Sequence, residues 1–295
     1  MVKSIEKKKK LYGLLFVSPF IIGTIVFFIG PLVQSLVFSF NKITNIVNLG
    51  EMTFIGFGNY LEAFTMDISF IPIFIQVVRD TLIGTPITVV FSLIIAVMLN
   101  KKIRFRGFFR TIYFLPFLLG SGMILSLLLQ MGVDEKSMDV MRGILLPDEI
   151  RNVLGPSTTL FLSEFLNRIT FILWRSGVQI LLFLSGLQGI SISLYESARC
   201  DGATEWEMFW LITIPMISPV ILLNLVYTII DYFSDVTNVM VQYFIKNAFQ
   251  LQRFDYASAL SWIYFMFVFV LILLVFLFMR KYVFYASEKE SYNKI

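Results

Sequence analysis

The sequence predicts an all-α integral membrane protein with six transmembrane helices, and three observations support this. The chain has 295 residues, of which 57% are hydrophobic and 15% are charged, whereas soluble proteins carry about 25% charged residues. Apolar runs of roughly 20 residues recur along the chain, and a helix of that length crosses the hydrocarbon core of a bilayer. Unbalanced lysines and arginines fall in segments that an even number of spans places on one side of the membrane.

The six spans are predicted from the apolar runs. They cover 11–28 (extending as helix to 40), 73–99, 112–131, 161–190, 216–240 and 257–279. The basic residues 7–10 followed by an apolar stretch resemble a signal peptide. However, that stretch contains Pro19 and Pro31 and has no clear small-residue cleavage site, so we expect an uncleaved first span.

The segments between the spans set the predicted orientation. The N-terminal tail, the loop 101–110 and the C-terminal tail hold most of the unbalanced basic residues, which places both termini and the polar segment 191–215 in the cytoplasm. The predicted organisation is a basic tail 1–10, a first helix with an outer segment 11–72, a core transmembrane domain 73–281 and a tail 282–295. A further outer loop is predicted at 132–157.

Composition excludes several kinds of chemistry. The only cysteine is Cys200 and the chain has no histidine, so it offers neither an intrachain disulfide nor a His-based metal site or catalytic triad. The sequence also lacks the phosphate-binding pattern G-x-x-x-x-G-K-[ST]. We therefore expect no enzyme activity, no metal site and no cofactor in this chain, and nothing in its composition indicates a nucleic-acid partner.

The segment 193–219 carries two helix-start patterns around a glycine. Ser193 with Glu196, and Thr204 with Glu207, both have the spacing of a capping box. Gly202 lies between them, where a helix stop favours a residue that tolerates a left-handed backbone. These residues predict two short helices joined by a tight turn between two membrane spans.

This segment resembles the cytoplasmic "EAA" loop of permease subunits in binding-protein-dependent ABC importers, whose pattern is roughly E-A-A-x-x-D-G-A, then F, then I-x-L-P. The matching residues are Glu196, Ala198, Asp201, Gly202, Ala203, Phe209, Ile212 and Pro215. Ser197 replaces the central alanine, and Ile214 replaces the leucine. RFRGFFRTIYFLP at 104–116 and YASAL at 256–260 also look like this family, and FIGFGNY at 54–60 is similar to its carbohydrate-type members.

The resemblance implies a type I ABC importer permease fold with a cytoplasmic coupling-helix hairpin, in a bacterial cell membrane. Its implied partners are two ATP-binding subunits that hold ATP and Mg, a second related permease in a heterodimer, an extracellular solute-binding protein and membrane lipid. The implied substrate is a carbohydrate, with an oligosaccharide favoured. It also implies that coupling to the ATP-binding subunit uses the residues Glu196, Ala198, Asp201, Gly202, Ala203 and Phe209.

Polar residues inside two spans form stripes at helical spacing. Arg175 and Gln179 lie on the same face of the fourth span as Glu164 and Arg168, and Trp174 is adjacent in sequence. In the fifth span one face carries Asn224, Thr228, Asp231 and Asp235, with Tyr227 at its edge. Charged residues at membrane depth are costly, so we hypothesise that Trp174 and these two stripes line a solute path.

Purely structural interpretations, without a role in transport, remain open for these residues. Arg175 and Asp231 could form an interhelical ion pair without a role in transport, and Asn224 could bond only to backbone. Glu164 and Arg168 could form a surface pair at the outer interface. The alternative function is an ion- or proton-coupled secondary transporter acting without an ATPase, with Asp231 and Asp235 as its coupling acids.

Overall fold

The structure, a computed structural model, describes residues 2–44, 51–101, 155–235 and 237–284. The predicted third span at 112–131 therefore lies outside the described residues, as do nearly all of the predicted loops 101–110 and 132–157. The six-span count stays a prediction for the same reason.

The described chain is mostly helical. Its elements are α1 (Val2–Thr24), a π-helical turn (Ile25–Ile29), α2 (Gly30–Phe40), β1 (Asn41–Ile43), β2 (Met52–Phe54), α3 (Gly58–Thr65), α4 (Phe70–Asn100), α5 (Pro156–Gln188), α6 (Ile192–Cys200), α7 (Glu205–Met208), a second π-helical turn (Phe209–Thr213), α8 (Ile214–Met216), α9 (Ser218–Ser234), α10 (Val239–Ile245), a third π-helical turn (Lys246–Gln250) and α11 (Phe254–Met279). β1 and β2 pair antiparallel, with Lys42 opposite Thr53.

Among the described residues, three helices are long and apolar enough to cross a membrane: Tyr12–Phe40, Phe70–Asn100 and Phe254–Met279. The number rises to five if each of two bent helix pairs counts as one span. These pairs bend by 62° between Arg175–Gln188 and Ile192–Cys200, and by 66° between Glu205–Met216 and Ser218–Ser234. The bends lie on both sides of the predicted hairpin.

The chain divides into two compact units. Unit 1 contains Met1–Gln76 and Val239–Phe267, and unit 2 contains Val77–Asn238 and Val268–Ile295. In unit 1, Phe74 packs edge-on against Phe267 with ring centroids 5.0 Å apart. The unit also holds an ion pair in which Arg253 donates to both Glu62 oxygens at 2.7 and 2.8 Å. Aromatic edge-to-face contacts and bidentate Arg–carboxylate pairs both fix geometry as well as adding energy.

Unit 2 has a buried apolar core. Val89, Ala96 and Leu99 of α4 pack with Ile180, Phe183, Leu184 and Leu187 of α5, and with Ile217 at the start of α9. Gly186 allows α5 and α9 to approach closely, because a Cβ at this position would lie 2.8 Å from Val220 Cγ2. Small residues at such contacts are how membrane helices pack tightly.

Two details of the sequence prediction are wrong. The capping box of Ser193 and Glu196 does not form, because α6 begins at Ile192 with Ser191 at its N-cap. The third helical position is then Leu194, which has no carboxylate. The fifth span, predicted to reach residue 240, ends at Ser234, where Asp235 leaves the helix with an extended backbone at ψ 132°.

Candidate functional site

The predicted hairpin is present as α6 and α7, joined by a glycine turn. Gly202 has a φ of +83°. The Ala203 amide donates to the Ala198 carbonyl at 2.9 Å, and the Gly202 amide donates to the Arg199 carbonyl at 3.1 Å. These two bonds form a Schellman motif, in which the residue after the helix adopts the left-handed conformation that glycine tolerates best.

The second helix of the hairpin has the predicted capping box. The Glu207 amide donates to Thr204 Oγ1 at 3.3 Å, and the Thr204 amide donates to Glu207 Oε2 at 2.8 Å. Hydrogen bonds from the Thr204 amide and then from its hydroxyl lower the pKa of the Glu207 carboxyl. The reciprocal bonds satisfy amides that a helix start otherwise leaves unpaired.

The hairpin's two halves are tied to each other by side chains. The hydroxyls of Tyr195 and Thr213 lie 2.9 Å apart and share a hydrogen bond, and Thr213 is buried. Glu205 makes ion pairs with Arg199 at 3.7 Å and with Lys101, beyond the end of α4, at 3.4 Å. These exposed pairs each contribute at most about 1 kcal/mol, so the turn and the shared hydroxyls define the shape.

The hairpin presents a mixed surface. Glu196 and Asp201 are exposed, whereas Ala198, Ala203 and Phe209 are half-buried. Trp206 is 69% exposed and Trp210 is 49% exposed, with their ring centroids 5.6 Å apart. A hydrogen-bonded hairpin that exposes carboxylates and indole rings is suited to bind another protein, since aromatic side chains supply much of the energy of protein contacts.

The two predicted polar stripes meet in unit 2. Arg175 of α5 pairs with Asp231 of α9 at 3.7 Å, and it also pairs with Asp235. Its guanidinium lies over the Tyr232 ring, 4.5 Å from the ring centroid. Arg175 is buried and the two carboxylates are half-buried. When all three groups are ionised, one guanidinium and two carboxylates give the cluster a net charge of about −1.

The inner part of the stripes is fully buried. Gln179 Nε2 donates to Thr228 Oγ1 at 3.3 Å, and Thr228 Oγ1 donates to the Asn224 carbonyl at 2.7 Å. Neither amide atom of Asn224 has a hydrogen-bond partner in the described part of the chain, and the same holds for Gln179 Oε1. The interpretation that Asn224 bonds only to backbone is therefore wrong.

Two predicted path residues remain, Tyr227 and Trp174. Tyr227 is half-buried on α9. Trp174 lies on α5, next to Arg175, but its side chain is outside the described residues, as are those of Glu164 and Arg168. The structure thus brings Arg175, Asp231 and Asp235 together, and the prediction that these residues contact a solute stays a prediction.

One buried polar face of α4 was missed in the sequence. It carries Thr81, Thr85, Thr88 and Ser92, all at most 4% exposed. Their offsets of 4, 7 and 11 repeat the pattern that identified the stripe on α9, so the spacing alone could have revealed it. The Thr88 and Tyr232 hydroxyls share a hydrogen bond at 3.0 Å, which joins this face to the Arg175 cluster.

Unit 1 contains a second polar cluster that the sequence did not reveal. Asp67 Oδ2 accepts hydrogen bonds from the hydroxyls of Tyr243, at 2.6 Å, and of Tyr256. Asp67 Oδ1 accepts from the amides of Ser69 and Phe70, at the start of α4. Burial alone would raise the pKa of Asp67, but these four hydrogen bonds together lower it.

The described chain combines long apolar helices with a helical hairpin between two of them, an arrangement that fits a membrane transport permease. Residues 72–284 match the family of binding-protein-dependent transport system inner membrane components, and the chain belongs to this family. Members are membrane-spanning permease subunits of ABC importers, which are not themselves catalytic.

Relatives support the carbohydrate-uptake type. The chain is 31% identical over 229 residues to the lactose transport system permease protein LacF of Rhizobium radiobacter, covering 74% of this chain and 72% of LacF. It is 31% identical over 236 residues to the arabinooligosaccharides transport system permease protein AraP of Bacillus subtilis (strain 168), covering 76% of this chain and 70% of AraP.

A solved structure shows the same fold. A chain of a bacterial ABC transporter involved in the import of the acidic polysaccharide alginate matches with a TM-score of 0.64 and 22% identity, over 95% of this chain and 98% of that one. Another structure of an alginate ABC transporter, in complex with an alginate pentasaccharide-bound periplasmic protein, matches with a TM-score of 0.59 and 21% identity, over 95% of each chain.

Proposed function

We propose that this chain forms part of the translocation path for a carbohydrate, with an oligosaccharide favoured, in an ATP-driven importer. Its similarity to LacF and AraP supports the substrate class. The rigid hairpin at 191–215 is the single observation that carries the proposed mechanism. Both termini and the hairpin face the cytoplasm in this proposal, in agreement with the distribution of basic residues.

The proposed mechanism couples ATP hydrolysis on two separate subunits to movement of α5 and α9. Glu196, Asp201 and Phe209 of the hairpin contact the ATP-binding subunit, with Ala198, Gly202 and Ala203 allowing the tight turn between the two short helices. Because the hairpin connects directly to both spans, force on it tilts them. A second related permease completes the path, and an extracellular binding protein delivers the solute.

The coupling role is tested at Gly202. In Gly202→Leu, a branched side chain occupies a position with a φ of +83°, which costs about 1 kcal/mol or more in backbone strain. We expect reduced co-purification of the ATP-binding subunit and reduced uptake. Gly189→Ala is the matched control, since φ there is −77° and the nearest atom to a Cβ is 3.4 Å away. Unchanged co-purification and uptake in Gly202→Leu would contradict coupling through the hairpin.

We propose that the accessible part of the path is lined by Tyr227, Asp231 and Asp235, held in place by Arg175. Trp174 would offer an apolar platform for a sugar ring, and carboxylates would accept hydrogen bonds from its hydroxyls. The stripes continue along α5 and α9 with three path residues that are fully buried in the conformation described: Gln179, Asn224 and Thr228.

Asn substitutions test the path more sharply than alanine does. Arg175→Ala would leave two carboxylates without their cation, and breaking a buried ion pair costs about 3–5 kcal/mol. Asp231→Asn instead leaves the Arg175–Asp235 pair in place, so we expect normal assembly with impaired uptake. Asp80→Asn, at an exposed pair with Arg79, is the charge-matched control. Normal uptake by Asp231→Asn would return this residue to a structural role.

The alternative function is an ion- or proton-coupled transporter that acts alone, with Asp231 and Asp235 as coupling acids. Residues 72–284 match the family of binding-protein-dependent transport system inner membrane components, which speaks against a transporter that acts alone. Solute uptake by this chain alone, driven by an ion gradient without ATP, would favour the alternative.

A further inference from the structure

Three helices of unit 2 enclose a polar seam, which we define as Ser92 of α4, Gln179 of α5, and Asn224 and Thr228 of α9. All four residues have 0% exposure. Two contacts locate the seam. Gln179 is hydrogen-bonded to Thr228. One turn from Ser92 on α4 and one turn from Thr228 on α9, the hydroxyls of Thr88 and Tyr232 share a hydrogen bond. The seam therefore lies inside this one chain, away from its free surface.

Helix direction places Ser92 at the level of Thr228 on α9. Ala96 and Leu99, at the end of α4, belong to the same buried apolar cluster as Ile217 at the start of α9, whereas Thr88 contacts Tyr232 near the end of α9. The two helices thus run antiparallel. One turn beyond Thr88 on α4 therefore corresponds to about one turn before Tyr232 on α9, which is the level of Thr228, and Asn224 lies one turn further along α9.

The seam contains polar atoms without partners. Ser92 Oγ, Gln179 Oε1, Asn224 Oδ1 and Asn224 Nδ2 lack a hydrogen-bond partner in the described part of the chain. Helical hydroxyls elsewhere in the chain donate to the preceding turn, as Ser261 does to the Ala257 carbonyl at 2.8 Å. Ser92 does not use this local option, so its hydroxyl remains available to another donor or acceptor.

We propose that this seam binds water molecules enclosed between α4, α5 and α9. The unpartnered atoms comprise two acceptors, one donor group and one hydroxyl that can act as either. Water matches this mixture, and buried waters typically make about three hydrogen bonds to such groups. An apolar ligand would leave all four atoms unsatisfied.

Enclosed water gives the three helices a polar contact that can be rearranged. A water molecule exchanges partners when helices shift, whereas a direct side-chain bond must break. This consequence rests on the proposed function, in which α5 and α9 move during transport, while the presence of water does not. We expect Asn224→Leu to slow uptake while the amount of assembled complex is retained.

Radiolytic labelling tests for water directly. The assembled complex, without carbohydrate, is mixed with ¹⁸O water and exposed to a short X-ray pulse, and label is located by mass spectrometry. Phe183 lies one turn from Gln179 and is 0% exposed, so label there must come from internal water. Phe70, also 0% exposed, is the matched control because Phe64 and Phe74 surround it with rings at 5.7 and 5.8 Å. We expect several-fold more label on Phe183 than on Phe70.

Variants tie the label to the seam. Asn224→Leu should lower the labelling of Phe183 toward the level of Phe70, and Ser92→Ala, which removes one oxygen with little change of shape, should lower it partly. Equal labelling of Phe183 and Phe70 in the parent would overturn the proposal. Labelling does not depend on transport, so a failure here is distinct from a failure of the proposed function.

Discussion

Thr204 and Ser193 carry hydroxyls at equivalent places in the sequence pattern, but only Thr204 caps a helix. Thr204 exchanges two hydrogen bonds with Glu207, whereas Ser193 Oγ pairs with Ser191 Oγ at 2.7 Å. The reason is the helix start: with Ile192 already helical, Ser193 lies inside the first turn, where its hydroxyl cannot reach the third amide. A capping pattern in sequence therefore does not fix which serine becomes the cap.

This difference predicts unequal effects of two similar substitutions. Thr204→Ala removes the cap of α7 and should lower the free energy of unfolding by about 1 kcal/mol. Ser193→Ala removes only an exposed hydroxyl pair and should change stability by less than about 0.5 kcal/mol. Thermal unfolding of the two purified variants measures both. Equal destabilisation would contradict the observed helix start.

Asp67 predicts a pH dependence of stability. Its folded pKa lies below the ordinary value of 3.8, so its hydrogen bonds stabilise the fold above that pH, and this contribution is lost as pH falls through the folded pKa. Asp67→Asn should be less stable than the parent at neutral pH. Its melting temperature should also fall less steeply than the parent's between about pH 5 and about pH 3.

The matched control is Tyr243→Phe, which keeps the carboxylate and removes one of its hydrogen bonds. This variant should retain part of the acid-dependent loss. An Asp67→Asn profile parallel to the parent's over the same pH range would show that other groups govern acid stability.

At the scale of elements, α4 and α9 approach closely at one glycine. A Cβ at Gly84 would lie 2.7 Å from two atoms of the Tyr232 side chain, whose hydroxyl is hydrogen-bonded to Thr88. Gly84→Ala must therefore displace a held ring, and overpacking of this kind costs about 1–3 kcal/mol. Gly30→Ala, where the nearest atom is 3.5 Å away, should be tolerated. Comparing the two melting temperatures tests whether this contact controls helix packing.

The elements that the sequence predicted well are those set by local chemistry. The long apolar runs gave α4 and α11 within three residues at each end, because apolar length alone sets the limits of a span. Gly202 and the capping box of Thr204 followed from backbone and side-chain geometry within a few residues. These parts of the candidate site could therefore be predicted from the local sequence, without knowledge of the tertiary structure.

The elements that it missed depend on neighbours distant in sequence. The fifth span appeared to reach residue 240 because Val239 and Met240 are apolar, but α9 ends at Ser234 and Asp235 pairs with Arg175. The Asp67 cluster joins residues 176 and 189 positions apart. Hydropathy along one segment carries no information about such partners.

At the scale of the whole molecule, unit 2 joins two features that the proposed function requires. The hairpin is a rigid surface suited to a protein partner, and the charged cluster of Arg175, Asp231 and Asp235 lies on the helices that the hairpin connects. In our proposal, ATP-driven movement enters at α6 and α7 and reaches the cluster through α5 and α9. Family membership and the fold are consistent with this order of elements.

The most direct test is carbohydrate uptake into proteoliposomes that contain this chain together with its proposed permease and ATP-binding partners, supplied with a loaded binding protein. Uptake should require ATP on the side of the ATP-binding subunits, and should be largely lost in Gly202→Leu while Gly189→Ala retains it. Coupling through the hairpin would be contradicted by uptake by this chain alone without ATP. It would also be contradicted if the assembled complex took up carbohydrate equally well with and without Gly202→Leu.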